Sequence, residues 1–231
     1  MLLVVASFVV DPDSSRVRIH LGRSGLLKFL GHDHTIEAPL AEGRIEADTE
    51  DVQRSRVRLR WEARRLAVVP GTEPAKDVPE VEARMRGPEV LDVERYPGIV
   101  FSASAVVGEA VAPGRYRLRM RGVLELRGRK QEIELPLEVR RDADVLTATG
   151  QVALRLSEVG ISPPSVAGVV KVANRFLVTF EVRADLAAPA QGAGTASYTR
   201  RTDTGPPMRP SRRGFAPPLV SVRAGEAVNR K

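Results

Sequence analysis

Apolar and charged residues alternate with a period of two along much of the chain between Arg54 and Arg183. The clearest runs are residues 56–63, 115–121 and 132–139. Successive side chains of a β-strand point to opposite faces of the sheet, so each run predicts a strand with one apolar and one charged face. The chain is therefore expected to form a sheet whose apolar face covers either a packed core or a cavity.

Turn residues divide the alternating stretches into about eight strands joined mostly by short connections. The predicted strands are residues 5–10 and 16–21, taken as one strand or a strand pair, and 41–48, 54–63, 99–107, 115–127, 131–140, 146–156 and 169–183. Helical spacing over residues 75–91 predicts one insertion, which Pro79 and the pair Gly87-Pro88 limit to one or two turns. Eight antiparallel strands of this kind close into a barrel, so the predicted fold is an all-β, eight-stranded antiparallel barrel with a short helical insertion.

The net charge of +7 arises mostly from the last part of the chain. Residues 186–231 carry eight basic and two acidic side chains and are rich in Pro, Gly and Ala. We therefore predict a barrel domain over residues 1–185 and a disordered basic tail over residues 186–231. The barrel is close to neutral, which argues against its recognising nucleic acid. We expect at most a weak contact of the tail with an anionic membrane, and the sequence leaves the oligomeric state, a homodimer included, open.

Several classes of function are disfavoured by the residues present. The chain has no cysteine, which excludes disulfides, thiol catalysis and thiolate metal sites. It contains no nucleophile elbow, phosphate-binding glycine-rich loop or zinc-protease helix. We therefore expect neither catalysis nor a cofactor.

The start of the chain bears on where the protein acts. Residues 1–10 are apolar, but they lack the basic start and polar cleavage region of a signal peptide and are too short to span a bilayer. A periplasmic location is expected only if an upstream export signal precedes this chain, and a cytoplasmic location otherwise. No segment is predicted to be transmembrane.

The alternation also assigns side chains to the barrel interior. The residues predicted to face inward and to contact a bound apolar chain are Val57, Leu59, Trp61, Phe101, Tyr116, Leu118, Met120, Ile133, Leu135, Leu154, Phe176 and Phe180. Further inward positions are small, namely Ala63, Ala103, Ala105, Gly122, Ala148 and Gly150. Small residues leave space in which each buried methylene of a lipid contributes up to about 0.8 kcal/mol. The alternative is that large neighbours fill this space and the barrel is solid.

Two of the three histidines lie within residues 31–35. On an extended segment His32 and His34 share a face, so both imidazoles can reach one metal ion, although zinc needs three or four ligands. The further ligands that the sequence offers are His20, Glu37 and Asp48. The same two histidines can instead hydrogen-bond the head group of a ligand at the barrel mouth, or belong to a loop that binds nothing.

Four segments, in order along the chain, resemble the YceI-like, lipocalin-like, polyisoprenoid-binding proteins. They are residues 10–17 (VDPDSSRV), 91–102 (LDVERYPGIVFS), 122–128 (GVLELRG), and 159–161 (VGI) with Lys171-Val172. The second resembles the family's Phe-Asp-Val-x-x-Tyr-Pro-x-Ile-x-Phe-x-Ser segment. The third resembles its Gly-x-Leu-Thr-Leu-His-Gly strand and turn, with Arg127 where the family often has His. The resemblance covers residues 8–185 and implies a lipocalin-like barrel with a long apolar channel that binds an amphipathic isoprenoid chain, often in the bacterial periplasm.

Residues and resemblance together favour a protein that binds or carries a long-chain, amphipathic, isoprenoid-type lipid without catalysis. Two alternatives stay open. One is a metal-binding or metal-dependent hydrolytic protein that uses His32 and His34 at the barrel mouth. The other is a structural stress-response barrel that holds no small ligand.

Overall fold

A computed structural model of the protein describes residues 5–24, 33–48, 50–163, 165–166 and 170–188. His32 and nearly all of the predicted tail lie outside these residues. What the sequence predicts for them therefore stays a prediction.

Within the described residues the chain forms twelve strands, one α-helix and two short 3-10 turns. The strands are β1 (Val5–Val10), β2 (Arg16–Ser24), β3 (His34–Glu37), β4 (Leu40–Asp48), β5 (Arg56–Glu62), β6 (Ala67–Val68), β7 (Gly98–Ala112), β8 (Arg115–Leu126), β9 (Arg129–Asp142), β10 (Val145–Arg155), β11 (Ser165–Val166) and β12 (Val170–Leu186). The helix is α1 (Val78–Arg86), and the 3-10 turns are Val52–Arg54 and Ala63–Arg65.

The strands form one closed antiparallel sheet. Its order is β1, β4, β5, β7, β8, β9, β10 and β12, and β12 pairs back with β1, where Phe8 lies opposite Leu186 and Val10 opposite Ala184. Strands β1 and β2 both pair with β12 and together form one strand of the ring. In the same way, β3 pairs with β2 and β4 pairs with β1. The ring therefore has eight strands, and the predicted eight-stranded lipocalin-like barrel with a short helical insertion is confirmed.

The chain bends at Asp11, between the end of β1 and the beginning of β2. Its Oδ1 accepts hydrogen bonds from the backbone N–H groups of Asp13 (3.0 Å) and Ser14 (3.2 Å), and its carbonyl accepts one from the Ser15 hydroxyl (2.6 Å). Hydrogen bonds from Ser14 hold the pKa of the Asp11 carboxyl below its usual value. The sequence Asp-Pro-Asp-Ser thus bends the wall without interrupting the barrel.

Helix α1 lies in the connection between β5 and β7, where the sequence predicts the insertion. It is nine residues long, or about two and a half turns, which is slightly longer than the one or two turns that the sequence predicts. Pro79 lies in its first turn, where a proline is tolerated because that N–H has no partner within the helix. The proline therefore marks the beginning of the helix, and Gly87 caps its end.

A β-bulge in β7 corrects one predicted inward position. The register with β8 shifts between Ala103 and Ala105, so that Val106 lies opposite Met120. Ala105 is exposed and Val106 is buried, whereas strict alternation predicts the reverse. The extra residue of a bulge moves every later side chain to the other face, which the sequence pattern does not reveal.

Candidate ligand-binding cavity

The apolar face of the barrel encloses a cavity of about 290 Å³. Its wall is formed by side chains of β2, β3, β4, β5, β7, β8, β9, β10 and β12 and of helix α1. The wall extends from the turns that join β4 to β5 and β9 to β10, at one end, to the α1 connection at the other. The cavity therefore follows the axis of the barrel.

All twelve apolar residues that the alternation turns inward lie on this wall. They are Val57, Leu59, Trp61, Phe101, Tyr116, Leu118, Met120, Ile133, Leu135, Leu154, Phe176 and Phe180. Their placement follows from the antiparallel register, since residues directly opposite each other, such as Leu118 and Leu137, face the same side. That they contact a ligand stays a prediction.

Two of the small inward residues do not enlarge the cavity. A Cβ atom at Gly122 would lie 2.7 Å from the Phe101 ring, and one at Gly150 would lie 2.6 Å from the Phe180 ring. These glycines therefore make room for aromatic rings of the neighbouring strands. Ala148, by contrast, lies on the cavity wall itself.

Trp61 is the single tryptophan of the chain, and its ring forms part of the wall. Its indole Nε1–H donates a hydrogen bond to the backbone carbonyl of Ala38 over 3.1 Å. With its one polar group satisfied, the ring is oriented and presents apolar surface to the cavity. Trp61 is therefore a natural fluorescent reporter for anything that enters.

One end of the cavity, here called the cap end, is closed by apolar side chains from outside the barrel strands. They come from Leu66, from α1 and the turn after it, and from the connection after β10: Met85, Val90, Leu91, Val159 and Ile161. Val159 and Ile161 are almost completely buried. The segment 91–102, which carries the resemblance, thus contributes Leu91 to the cap and Ile99 and Phe101 to the wall.

Hydrogen bonds to backbone groups hold the cap end in place. Arg127 donates to the carbonyls of Pro88 (2.9 Å), Glu89 (3.3 Å) and Gly160 (3.4 Å). Arg127 and Gly128 have φ values of 52° and 68°, the left-handed pair of a tight hairpin turn. Arg127 thus joins the β8–β9 turn to both capping connections, a role that the sequence does not reveal.

Two further contacts tie α1 to the barrel. The Glu82 carboxylate accepts the N–H of Val68 (3.0 Å), and Arg86 donates to the carbonyl of Leu66 (3.1 Å). Glu82 and Arg86 also pair with each other over 3.1 Å, one turn apart on the helix. The helix is therefore bound to β6 and the residue before it through its polar face.

His34 lies at the cap end and contacts Glu73. Its Nδ1 hydrogen-bonds the Glu73 carboxylate, whose side chain is 2% exposed. Neither residue lies on the cavity wall. Glu73 is 39 residues away in a Pro-Gly-Thr-Glu-Pro loop, and the sequence gives no signal for the pair.

The further metal ligands that the sequence offers do not gather around His34. His20 shares a hydrogen bond with the Thr179 hydroxyl (3.1 Å), Glu37 pairs with Arg18 (3.0 Å), and Asp48 lies at the opposite end of the barrel. Among the described residues no group of three or more His, Cys, Asp or Glu side chains gathers around one point. His32 lies outside the described residues, so its part in a metal or head-group site stays a prediction.

The other end, here called the polar end, brings Asp48, Ser55, Tyr116 and Arg141 to the wall. Asp48 is 3% exposed, and its Oδ1 accepts the backbone N–H groups of Glu50 (3.0 Å) and Asp51 (2.9 Å). The Ser55 hydroxyl accepts the N–H of Asp48 (3.1 Å). The guanidinium carbon of Arg141 lies 5.7 Å from the centre of the Phe8 ring, and its Nε donates to the Ala143 carbonyl (3.3 Å).

A closed eight-stranded barrel around an axial apolar cavity defines a lipocalin-like protein. The chain belongs to the YceI-like domain family, which matches residues 8–184. No match was found among curated proteins. Within the part of the chain that the structure describes, no helix has the length and hydrophobicity needed to cross a membrane.

Two solved structures with the same fold are similar to this chain. BcnA of Burkholderia cenocepacia is 15% identical, with a TM-score of 0.58 over 75% of this chain and 98% of that chain. A polyisoprenoid-binding domain from Saccharophagus degradans, implicated in plant cell wall breakdown, is 13% identical, with a TM-score of 0.55 over 79% of this chain and 99% of that chain.

Proposed function

We propose that the barrel binds or carries a long-chain amphipathic lipid of the isoprenoid type, with the chain lying along the barrel axis. The observation that carries this proposal is the cavity, whose wall is apolar from the cap end to the edge of the polar end. A void of about 290 Å³ argues against the solid barrel that a purely structural role would use. The similarity to a protein described as a polyisoprenoid-binding domain supports the same class of ligand.

The energetics favour a chain over a compact polar ligand. Each methylene that leaves water contributes up to about 0.8 kcal/mol, so a few prenyl units suffice for stable binding without directed hydrogen bonds. Branched side chains and aromatic rings on the wall, such as Ile133 and Phe176, suit a branched chain by dispersion contacts.

The proposal contains no chemical step. Two of the polar side chains on the cavity wall already accept backbone hydrogen bonds: Asp48 from Glu50 and Asp51, and Ser55 from Asp48. Both described histidines bond elsewhere, so neither activates the Ser55 hydroxyl. We therefore treat the protein as a binding protein, with a role for His32 and His34 in metal binding as the alternative to be tested by elemental analysis.

A pair of neighbouring substitutions tests whether the chain lies in the cavity. Ala148→Phe places a ring into the cavity, whereas Thr149→Phe, the next residue of β10, places the same ring on the exposed face. Delipidated wild type and Thr149→Phe are expected to bind farnesol with a saturable change in Trp61 fluorescence, and Ala148→Phe is expected to lose it. Thermal unfolding checks that each variant is folded. If Ala148→Phe does not fold, Ala148→Leu places a smaller side chain in the cavity. Equal binding by all variants, or none by the wild type, would contradict the proposal.

A further inference from the structure

Polar groups on the cavity wall are confined to one end. The charged and hydroxyl-bearing residues of the described wall are Asp48, Ser55, Tyr116 and Arg141, and all four lie at the polar end. The wall at the cap end is formed by residues such as Met85, Leu91 and Ile161. An apolar cavity with one polar end accommodates an amphipathic molecule in one orientation only, because a buried head group without partners is costly at the cap.

Arg141 is the group at the polar end with hydrogen-bond donors to spare. Its backbone N–H donates to Gly114 (2.8 Å), its Nε donates to Ala143, and its guanidinium lies against the Phe8 ring. Among the described residues neither of its Nη atoms has a hydrogen-bond acceptor. The stacked ring restrains the guanidinium, so a ligand gains its donors at a small cost in side-chain entropy.

The remaining polar groups define the side on which an anion can sit. Asp48 belongs to β4, and its Oδ1 accepts the backbone N–H groups of Glu50 and Asp51. Its carboxylate repels an anion, so a head group is held away from Asp48. Tyr116 is on β8, beside β9, and its hydroxyl has no hydrogen-bond partner among the described residues. Arg141 and Tyr116 thus form the side that favours negative charge.

The barrel strand beside Tyr116 is exposed to solvent at the polar end. Ala110 of β7 lies directly opposite Tyr116 in the register, and therefore on the same face. Ala110 is exposed, and so are the residues that follow it to the turn. A charged head group at this position keeps part of its hydration while the chain is buried.

We propose that Arg141, assisted by Tyr116, binds an anionic head group, a phosphate or a carboxylate, on the lipid whose chain occupies the cavity. This inference rests on the proposed function and names the head-group class and the orientation of the ligand. The chain extends from Arg141 toward the α1 cap, so the head group lies at the opposite end from His34.

Ligands with one chain and three head groups test the proposal. Farnesyl monophosphate, farnesoic acid and farnesol are titrated into the delipidated full chain, with Trp61 fluorescence as the readout. We expect the anionic ligand to bind at least about tenfold more tightly than the alcohol, as a charge-assisted hydrogen bond provides. The ligand with the greater preference shows whether the site favours a phosphate or a carboxylate.

Two neighbouring arginines supply the matched variants. Arg141→Gln is expected to remove the preference for the anion, measured as the ratio of the affinities for the anionic ligand and farnesol in the same variant. Arg140→Gln, on the outer face where Arg140 pairs with Asp142 over 2.6 Å, is expected to change neither. Arg141→Lys, which keeps the charge, is expected to retain part of the preference. This variant keeps the test interpretable if Arg141→Gln does not fold.

The outcomes separate this inference from the proposed function. Equal wild-type affinities for all three ligands, or a preference that survives Arg141→Gln, overturn the head-group assignment while the carrier function stands. If neither the alcohol nor the anions bind the wild type, the proposed function fails as well.

Discussion

The two ends of the barrel are built from the same strands but are closed in different ways. At the cap end, apolar residues such as Leu91 and Val159 cover the cavity. Arg127 holds the segments that carry them by donating hydrogen bonds to backbone carbonyls. At the polar end, the last residues of β4 and β9 and the β4–β5 connection place Asp48, Arg141 and Ser55 on the wall. A nearly uniform strand pattern thus encloses a directional cavity, because apolar connections close one end and polar residues near the strand ends line the other.

The largest expected effect concerns the polar end. Phe8 is completely buried beneath the Arg141 guanidinium, so Phe8→Ala should lower the free energy of unfolding by about 3–5 kcal/mol in urea denaturation. Val9→Ala, one residue further along β1, removes a side chain that is 46% exposed and should cost no more than about 0.5 kcal/mol. Similar losses for the two variants would show that the polar end is not packed as described.

The wall between the two ends is probed at Gly122. A Cβ there would meet the Ser102 carbonyl at 2.6 Å and the Phe101 ring at 2.7 Å, so Gly122→Ala should destabilise by about 1–3 kcal/mol. Gly98→Ala is the control, since the nearest atom to a Cβ there is the Arg60 Nε at 4.0 Å. A neutral or stabilising Gly122→Ala would mean that the glycine leaves usable space after all.

At the cap end, Arg127→Asn removes the bonds to Pro88, Glu89 and Gly160 while keeping a residue that tolerates positive φ. The expected loss of stability is about 1 kcal/mol. It should appear as faster hydrogen exchange at the amides of Leu91 and Ile161, with the strand amides unchanged. Lys130→Asn, on the neighbouring strand, should leave this exchange as in the wild type, and a global acceleration in Arg127→Asn would contradict a local role.

The smallest effect is expected on the outer face of the barrel. Arg117 and Glu138 lie 4.0 Å apart across β8 and β9, and both side chains are mostly exposed. A double-mutant cycle with Arg117→Gln and Glu138→Gln should give a coupling of about 0–1 kcal/mol that falls with added salt. A coupling as large as the Phe8 effect would show that outer-face charges, and not the interior, determine stability.

The strand pattern was sufficient to predict the barrel and much of the cavity wall. Leu118 and Met120, two apart on β8, face inward because a strand has a period of two, and nothing in their surroundings overrides it. The helical insertion was also predictable, since Pro79 and Gly87 limit it at positions where helices begin and end.

The failures of sequence reasoning have a common physical origin in contacts between distant segments. The bulge that turns Val106 inward in place of Ala105 depends on pairing with β8. Gly150 was expected to add space, but the Phe180 ring of the adjacent strand occupies it. The convergence of Asp48, Ser55 and Arg141 at one end depends on barrel closure, which no local pattern encodes.

The most direct test of the central claim is methyl NMR of the delipidated protein titrated with an isoprenoid alcohol such as farnesol. If the chain binds inside the barrel, we expect intermolecular contacts and shift changes at the methyl groups of Leu118, Leu135 and Val152 on the cavity wall. Val107 and Val111, which are 51% and 49% exposed on β7, should show none. Contacts confined to Val107 and Val111, with the wall methyl groups unchanged, would contradict an internal binding site.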